Sequence, residues 1–360
     1  MCEPVYKYQY LIDNVLKHLK CGFSHHPNSI HILLKNPEFI DWRGLSKNPN
    51  AIKILEKNLD KLDEFCWYKL SQNPNAIKIL ESNLEKVCWQ GLSSNINAIH
   101  ILEKNLDKIH WCALSDNPNA IHILEKNLDK IDWFSLCKNP NAINILEKNL
   151  DKLDQNCWYE LSENPNAIKI LESNLEKVCW QGLSTNINAI HLLESNLDKV
   201  NWERLARNPN AVHIIENFFH KLNNPDHEYS EYDSDIFSDI NYTLSGNINA
   251  INLIKKSMPS VNYKFLALNP NALDILMEYT IDNDNFYDKR LHFRVANMII
   301  IESLVKNPSL FDLDYLTMAK NRSQIIYNEL IEKALHPSRI SKHLDYHLEQ
   351  KYDILDFDYY

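Results

Sequence analysis

All eight tryptophans of this chain fall on one ruler: Trp42, Trp67, Trp89, Trp111, Trp133, Trp158, Trp180 and Trp202. The steps are 22 residues, except for two of 25 where "DKLDEFCW" and "DKLDQNCW" each carry three extra residues. Tyr242 and Tyr263 read as continuing the column. An Asn-x-Asn motif keeps the same beat, with first asparagines at Asn48, Asn73, Asn95, Asn117, Asn139, Asn164, Asn186, Asn208, Asn247 and Asn269. His26 in "HPNSI" reads as a degenerate earlier copy and Asn307 in "NPSLF" as a later one. A fixed period of this length marks a repeat array, in which each unit covers the hydrophobic face of its neighbour.

A longer period lies over the first. Residues 47 to 63, "KNPNAIKILEKNLDKLD", return at 138 to 154 with only Lys53 replaced, by Asn144, and "CWQGLSSNINAI" (88–99) returns as "CWQGLSTNINAI" (179–190). The shift of 91 residues is three repeats of 22 plus one of 25, so a block of four repeats was duplicated as a unit. A modular array accommodates such an event, whereas a domain built around one catalytic site does not.

Within a unit, "NPNAIHILEKN" reads as a helix start: the first Asn as N-cap, Pro at the first helical position, then good helix formers. The asparagines at Asn58, Asn83, Asn105, Asn127, Asn149, Asn174 and Asn196 are expected to end that helix in the left-handed conformation. A second helix follows at the Trp, capped by Asp41, Asp132, Asn201, Asn241 or Asn262. The unit is thus about ten helical residues and about six more, too short to be stable in water without stacking. The expected fold is all-α: an α-solenoid of about ten to twelve 22-residue two-helix repeats with helical caps at both ends. A leucine-rich-repeat-like β-solenoid has a similar period, but Leu stands where that class needs its Asn ladder.

The segments divide as 1–25, an N-terminal helical cap; 26–279, the array; and 280–360, a C-terminal capping region with the acidic tail "YDILDFDYY". Around 222–240 the rhythm breaks at the acidic "NNPDHEYSEYDSD", expected to loop out as a mobile excursion carrying Ser230 and Ser234 among acidic residues.

The phrase "LSxNPNAIHILEKNLDKIDW" resembles the Asn-Pro-Asn-Ala-Ile repeat proteins abundant in amoeba-infecting giant DNA viruses. The likeness covers roughly residues 26 to 279, and "ALHPSRISKHLDYHLEQKYD" is similar to the C-terminal "HPxRIxxxL" ending of such proteins. The family is largely uncharacterised, so the resemblance implies a viral origin and no chemistry. Ile96, Ile187 and Ile248 depart from its motif by replacing the Pro.

Several functions are set aside by composition. A formal charge of −10 and a pI near 5.8 argue against nucleic acid as the main ligand, since phosphate binding needs a basic face. There is neither a run of eighteen apolar residues nor a signal peptide, which points to a host cytoplasm or a virion and away from a membrane or secretion. The five glycines (Gly22, Gly44, Gly91, Gly182, Gly246) are too dispersed for a phosphate-cradling loop. Cys66, Cys88, Cys157 and Cys179 each precede a Trp and read as reduced, small hydrophobes.

Neither a metal nor a cofactor site is expected. His31, His100, His122, His191 and His213 share one slot, the x of "AIxIL", which elsewhere holds Lys53, Lys78, Asn144, Lys169, Asn252 or Asp274; a polar slot this variable in identity, pointing away from Ala51, Ile52 and Leu55, is a solvated face. The Glu column (Glu56, Glu81, Glu103, Glu125, Glu147, Glu172, Glu194) reads as exposed helix charge, and the Ser of "LS" as local capping. The expectation is a non-enzymatic scaffold that binds a protein along the ridge Lys53, Lys78, His100, His122, Lys169, His191 and His213, whose cations suit an acidic partner, acting as a viral adaptor. The alternative is a virion-associated or self-assembling structural protein. An enzyme would have to draw on His336, Arg339 and His343, whose spacing defines no reaction.

Overall fold

The computed structural model describes residues 23–222, 224, 230–256 and 262–276, with the shorter stretches 6–7, 12–13, 303–304, 306–312, 314, 317–318, 320–321 and 323–326. The tail, the cluster His336, Arg339 and His343, and most of both expected caps lie outside the described residues. The chain divides into two units, Tyr10–Leu310 and the paired segments Met1–Gln9 and Phe311–Tyr360. Within the second unit the Tyr6 and Phe311 rings meet edge to face at 6.0 Å.

The array is an α-solenoid, with no strand among the described residues. A Trp helix (Trp42–Lys47, Glu64–Gln72, Trp89–Ser93, Trp111–Ser115, Trp133–Lys138 and so on) alternates with a short Ile helix (Ile52–Glu56, Ile77–Glu81, Ile99–Glu103, Ile121–Leu124, Ile143–Glu147). Successive Trp helices pack directly on one another. The core between the two rows is made of columns: Leu45, Leu70, Leu92, Leu114, Leu136 and Leu161 from the Trp helices, Ala51, Ala76, Ala98 and Leu55, Leu80, Leu102 from the Ile helices, all 0 % exposed. The Trp column is only partly core. Trp67, Trp158 and Trp202 are buried, while Trp42, Trp89, Trp111, Trp133 and Trp180 are half-buried. Four of these five faces are covered by the lysine of the following linker, with Lys61 4.9 Å from the Trp42 centroid, Lys108 4.9 Å from Trp89, Lys130 5.0 Å from Trp111 and Lys199 5.1 Å from Trp180.

The three-residue insertions lengthen two Trp helices, Glu64–Gln72 and Gln155–Glu163. Asp63 and Asp154 cap them by accepting the N–H of Cys66 and Cys157. Asp41, Asp132, Asn201 and Asn262 cap their helices as expected. Asn241 does not. It lies inside a 14-residue helix, Glu231–Leu244, that starts from a capping box between Ser230 and Asp233. The acidic stretch is therefore helical from 231 onward rather than an excursion, and the preceding Ile helix is extended to Val212–Leu222. Counting back from the Asn motif, Asn241 holds the Trp position and Tyr242, 58 % exposed, stands beside it, so Tyr242 does not continue the Trp column.

Two further expectations are corrected. The helix after "NPN" is not one of ten residues but five (Ile52–Glu56) followed by a separate three-residue turn (Leu59–Lys61). Asn58 ends it with φ −139°, not in the left-handed region, and no described residue has positive φ. Its side chain does the work instead: Nδ2 donates to Ile54 O at 2.8 Å, occupying one of the carbonyls a helix end leaves open. Asn83, Asn105, Asn127, Asn149 and Asn174 repeat the bond at 2.8 Å.

Candidate functional site

The first Asn of the motif is not an N-cap either; the Ile helix starts after Ala51 without a side-chain cap. Asn48 is fully buried, and its Oδ1 accepts the N–H of Asn50 at 2.9 Å in a tight local turn. Its Nδ2 crosses to the preceding repeat and donates to Ser24 O at 3.0 Å and His26 O at 2.7 Å. Each later repeat does the same: Asn73 to Ser46 O and Asn48 O, Asn95 to Ser71 O and Asn73 O, Asn117 to Ser93 O and Asn95 O. The inter-helix turns carry buried carbonyls that must find donors, and an amide supplies two donors and an acceptor at once. The second Asn adds an outer rail, as in Asn75 to Pro49 O at 3.0 Å. Ser71 Oγ accepts the N–H of Cys88 at 3.0 Å and itself donates to Trp67 O, so this serine also ties neighbouring repeats and is more than a local cap.

The ladder has no loose end. It runs from His26 through Asn48, Asn73, Asn95, Asn117, Asn139, Asn164, Asn186, Asn208, Asn247 and Asn269 to Asn307, whose Nδ2 donates to Ala267 O and Asn269 O. His26 Nε2 then lies 3.2 Å from Asn307 O. Its Nδ1 accepts the N–H of Asn28, so Nε2 carries the proton and donates. The imidazole thus reproduces both functions of the amide it replaces, and the twelve rungs form a closed circuit inside the Tyr10–Leu310 unit.

The slot residues lie outside this frame. His100, His122, His191 and His213 each bond the glutamate of the preceding repeat, Glu81, Glu103, Glu172 and Glu194, at 2.7–2.8 Å. All are about half exposed, so each pair contributes little, on the order of 0–1 kcal/mol. Lys53, Lys78 and Lys169 are exposed and have no ion pair among the described residues. The ridge therefore exists as a surface, but four of its seven members also tie repeats together.

Two hollows lie among the described residues, and both sit where the period fails. One, of about 820 Å³, lies under the 222–240 break between Trp202, Phe218, Ile236, Lys221 and Asp233. Trp202 is 9 % exposed there and its buried Nε1–H has no acceptor among the described residues. The other, of about 940 Å³, lies beside the first lengthened Trp helix, with Leu59, Leu62, Phe65, Trp67 and Tyr68 as apolar lining and Arg43, Asp60, Asp63, Glu64, Glu85 and Lys86 around it. Arg43 donates to Asp63 at 3.0 Å and stacks over Phe65 at 5.1 Å. The thiol and N–H of Cys66, with Arg43 next, hold the Asp63 carboxyl down at about 2. Ridge reasoning missed both hollows. The readable signals were the two insertions and the places where the duplicated blocks differ. Three buried thiols, Cys66, Cys137 and Cys157, are free, and burial raises the pKa of each.

Fold and site together define a helical repeat solenoid locked by an asparagine ladder. Comparison with family models, with curated proteins and with solved structures returns no match.

Proposed function

We propose that this chain is a non-enzymatic repeat scaffold that binds a protein partner along the exposed face of its Trp helices, a viral adaptor acting in the host cytoplasm. One observation carries the binding face. Between the duplicated blocks the ladder, the core and most of the slot are retained (Lys78 and Lys169, His100 and His191, His122 and His213), whereas exposed and half-buried positions in and just after the Trp helices change in character: Arg43 to Phe134, Lys69 to Glu160, Gln72 to Glu163, Cys112 to Glu203, Ala113 to Arg204, Asp116 to Arg207. A frame kept constant beneath a diversified surface is how a repeat scaffold distinguishes partners. The resemblance to giant-virus repeat proteins supports the viral setting. The alternative of end-to-end self-assembly is weakened because the first and last rungs already bond to each other.

The test is affinity purification from infected host cells of three tagged forms: wild type; Arg43→Phe with Lys69→Glu and Gln72→Glu; and the ridge variant Lys78→Glu with His100→Glu and His122→Glu. A host protein whose recovery changes, in either direction, with the second form and not with the third supports the reading. Loss from the third alone moves the contact to the Lys/His ridge, and recovery of only virion proteins contradicts the adaptor.

A further inference from the structure

We propose that the groove beside the helix Glu64–Gln72 docks a basic segment of a protein partner, one that presents an aromatic or aliphatic side chain next to lysine or arginine. The inference rests on the scaffold reading above and names the chemistry its surface selects.

Phe65 is the first reason. The ring is 51 % exposed at the mouth of the groove, and the fold does not need it: the duplicate helix Gln155–Glu163 is built on the same cap and the same buried Cys and Trp with Asn156 in its place. An apolar ring held in water next to Leu59, Leu62 and Trp67 offers area that a partner side chain can bury. The volume of about 940 Å³ accommodates such a side chain with its neighbours.

Charge selects what flanks that side chain. The cations at the groove are already engaged: Arg43 with Asp63 and over Phe65, Lys86 over the Trp67 ring at 5.5 Å, and Lys69 over the Tyr68 and Phe65 rings at 5.0 and 5.7 Å. Asp60, Glu64 and Glu85 are exposed and have no cation among the described residues. Three open carboxylates around an apolar floor attract ammonium and guanidinium groups, whose alkyl stems can lie along the aromatic surface. The same carboxylates repel acidic peptides and phosphates.

The second copy is a control within the same molecule. There Phe134 replaces Arg43, Gln155 replaces Glu64, Asn156 replaces Phe65, and Asp151, the counterpart of Asp60, is paired with Lys152 at 3.3 Å. The same lengthened helix thus exists with and without the binding chemistry.

The experiment is a selection from a random dodecapeptide phage library on the full chain, run in parallel on the Glu64→Gln/Phe65→Asn variant and on Phe65→Asn alone. Both substitutions are the residues of the second copy, and circular dichroism checks that each variant retains its helix. The expected result is enrichment on wild type of peptides with lysine or arginine beside an aromatic or aliphatic residue. A fluorescein-labelled synthetic version should bind at least about tenfold more weakly to the double variant, and more weakly to the charge-neutral Phe65→Asn variant as well. That second loss separates the groove from general attraction to a chain of charge −10. Acidic enriched peptides, or a selection that enriches nothing, would overturn the proposal. Peptides that bind wild type and variants alike would overturn the groove while leaving the scaffold reading to stand or fall on the purification from infected cells.

Discussion

Replacing Asn117 by alanine tests the ladder at a single rung. The side chain is 2 % exposed, and its Nδ2 donates to Ser93 O at 3.0 Å and Asn95 O at 3.2 Å while its Oδ1 accepts from Asn119 N at 3.0 Å. Asn95 O keeps a second partner, the Ala98 N–H at 3.1 Å. Ser93 O loses its donor at a buried position, and the Asn119 N–H loses its acceptor at a part-buried one. At about 1–3 kcal/mol for the buried carbonyl left unpaired and about 1 kcal/mol or less for the part-buried N–H, the loss is about 1–4 kcal/mol, a sizeable part of an ordinary domain's stability. Asn119→Ala is the matched comparison, because it removes only one bond, to Ile96 O at 2.8 Å, from an exposed side chain and should cost about 1 kcal/mol or less. Urea unfolding followed by far-UV circular dichroism and by Trp fluorescence gives both values. An Asn117→Ala loss under about 1 kcal/mol, or one equal to that of Asn119→Ala, would refute the claim that the inner rail holds the repeats together.

Two other consequences are open to measurement. A Cβ on Gly91 would meet Tyr68 O at 2.7 Å, whereas one on Gly246 finds nothing nearer than 3.5 Å; Gly91→Ala should therefore cost about 1–3 kcal/mol in urea unfolding and Gly246→Ala should be neutral or slightly stabilising. The His25 imidazole is pushed below its ordinary value of 6.5 by burial, then by Lys47 and Lys306, with Asp41 opposing. The unfolded chain therefore binds the proton more readily, and stability should fall as pH drops below about 6.5, more steeply in wild type than in His25→Gln when unfolding midpoints at pH 7.5 and 5.5 are compared.

Much of the architecture was legible in the residues. The Trp ruler and the 91-residue shift gave the modular helical array, and "HPNSI" and "NPSLF" were recognisable as its first and last copies. What pattern alone misassigned was the role of the polar residues. Asn48 looks like an N-cap because helix starts favour Asn, but the helix begins only at Ile52, so its Oδ1 accepts the Asn50 N–H in the turn before it while its Nδ2 is drawn to buried carbonyls of the preceding repeat. Asn58 looks like a left-handed terminator because Asn tolerates that conformation, yet its side chain reaches Ile54 O without it. Tyr242 was misplaced because one residue of phase is invisible when a long helix, started by Ser230 and Asp233, runs through the break. The groove was hidden for another reason: Arg43, Phe65 and Glu85 are brought together only by stacking, and no linear motif joins them.

The most direct test of the closed ladder is crosslinking of the intact protein with a short amine-reactive reagent, read by mass spectrometry for a bond between Lys47 and Lys306. Both are exposed and both act on the His25 imidazole, so a closed circuit predicts an intramolecular crosslink that persists on dilution and is lost in urea. An open stack at about 10 Å per repeat would hold the two lysines roughly 100 Å apart. The absence of that crosslink under conditions where neighbouring-repeat lysines are joined would contradict the closure through His26 and Asn307.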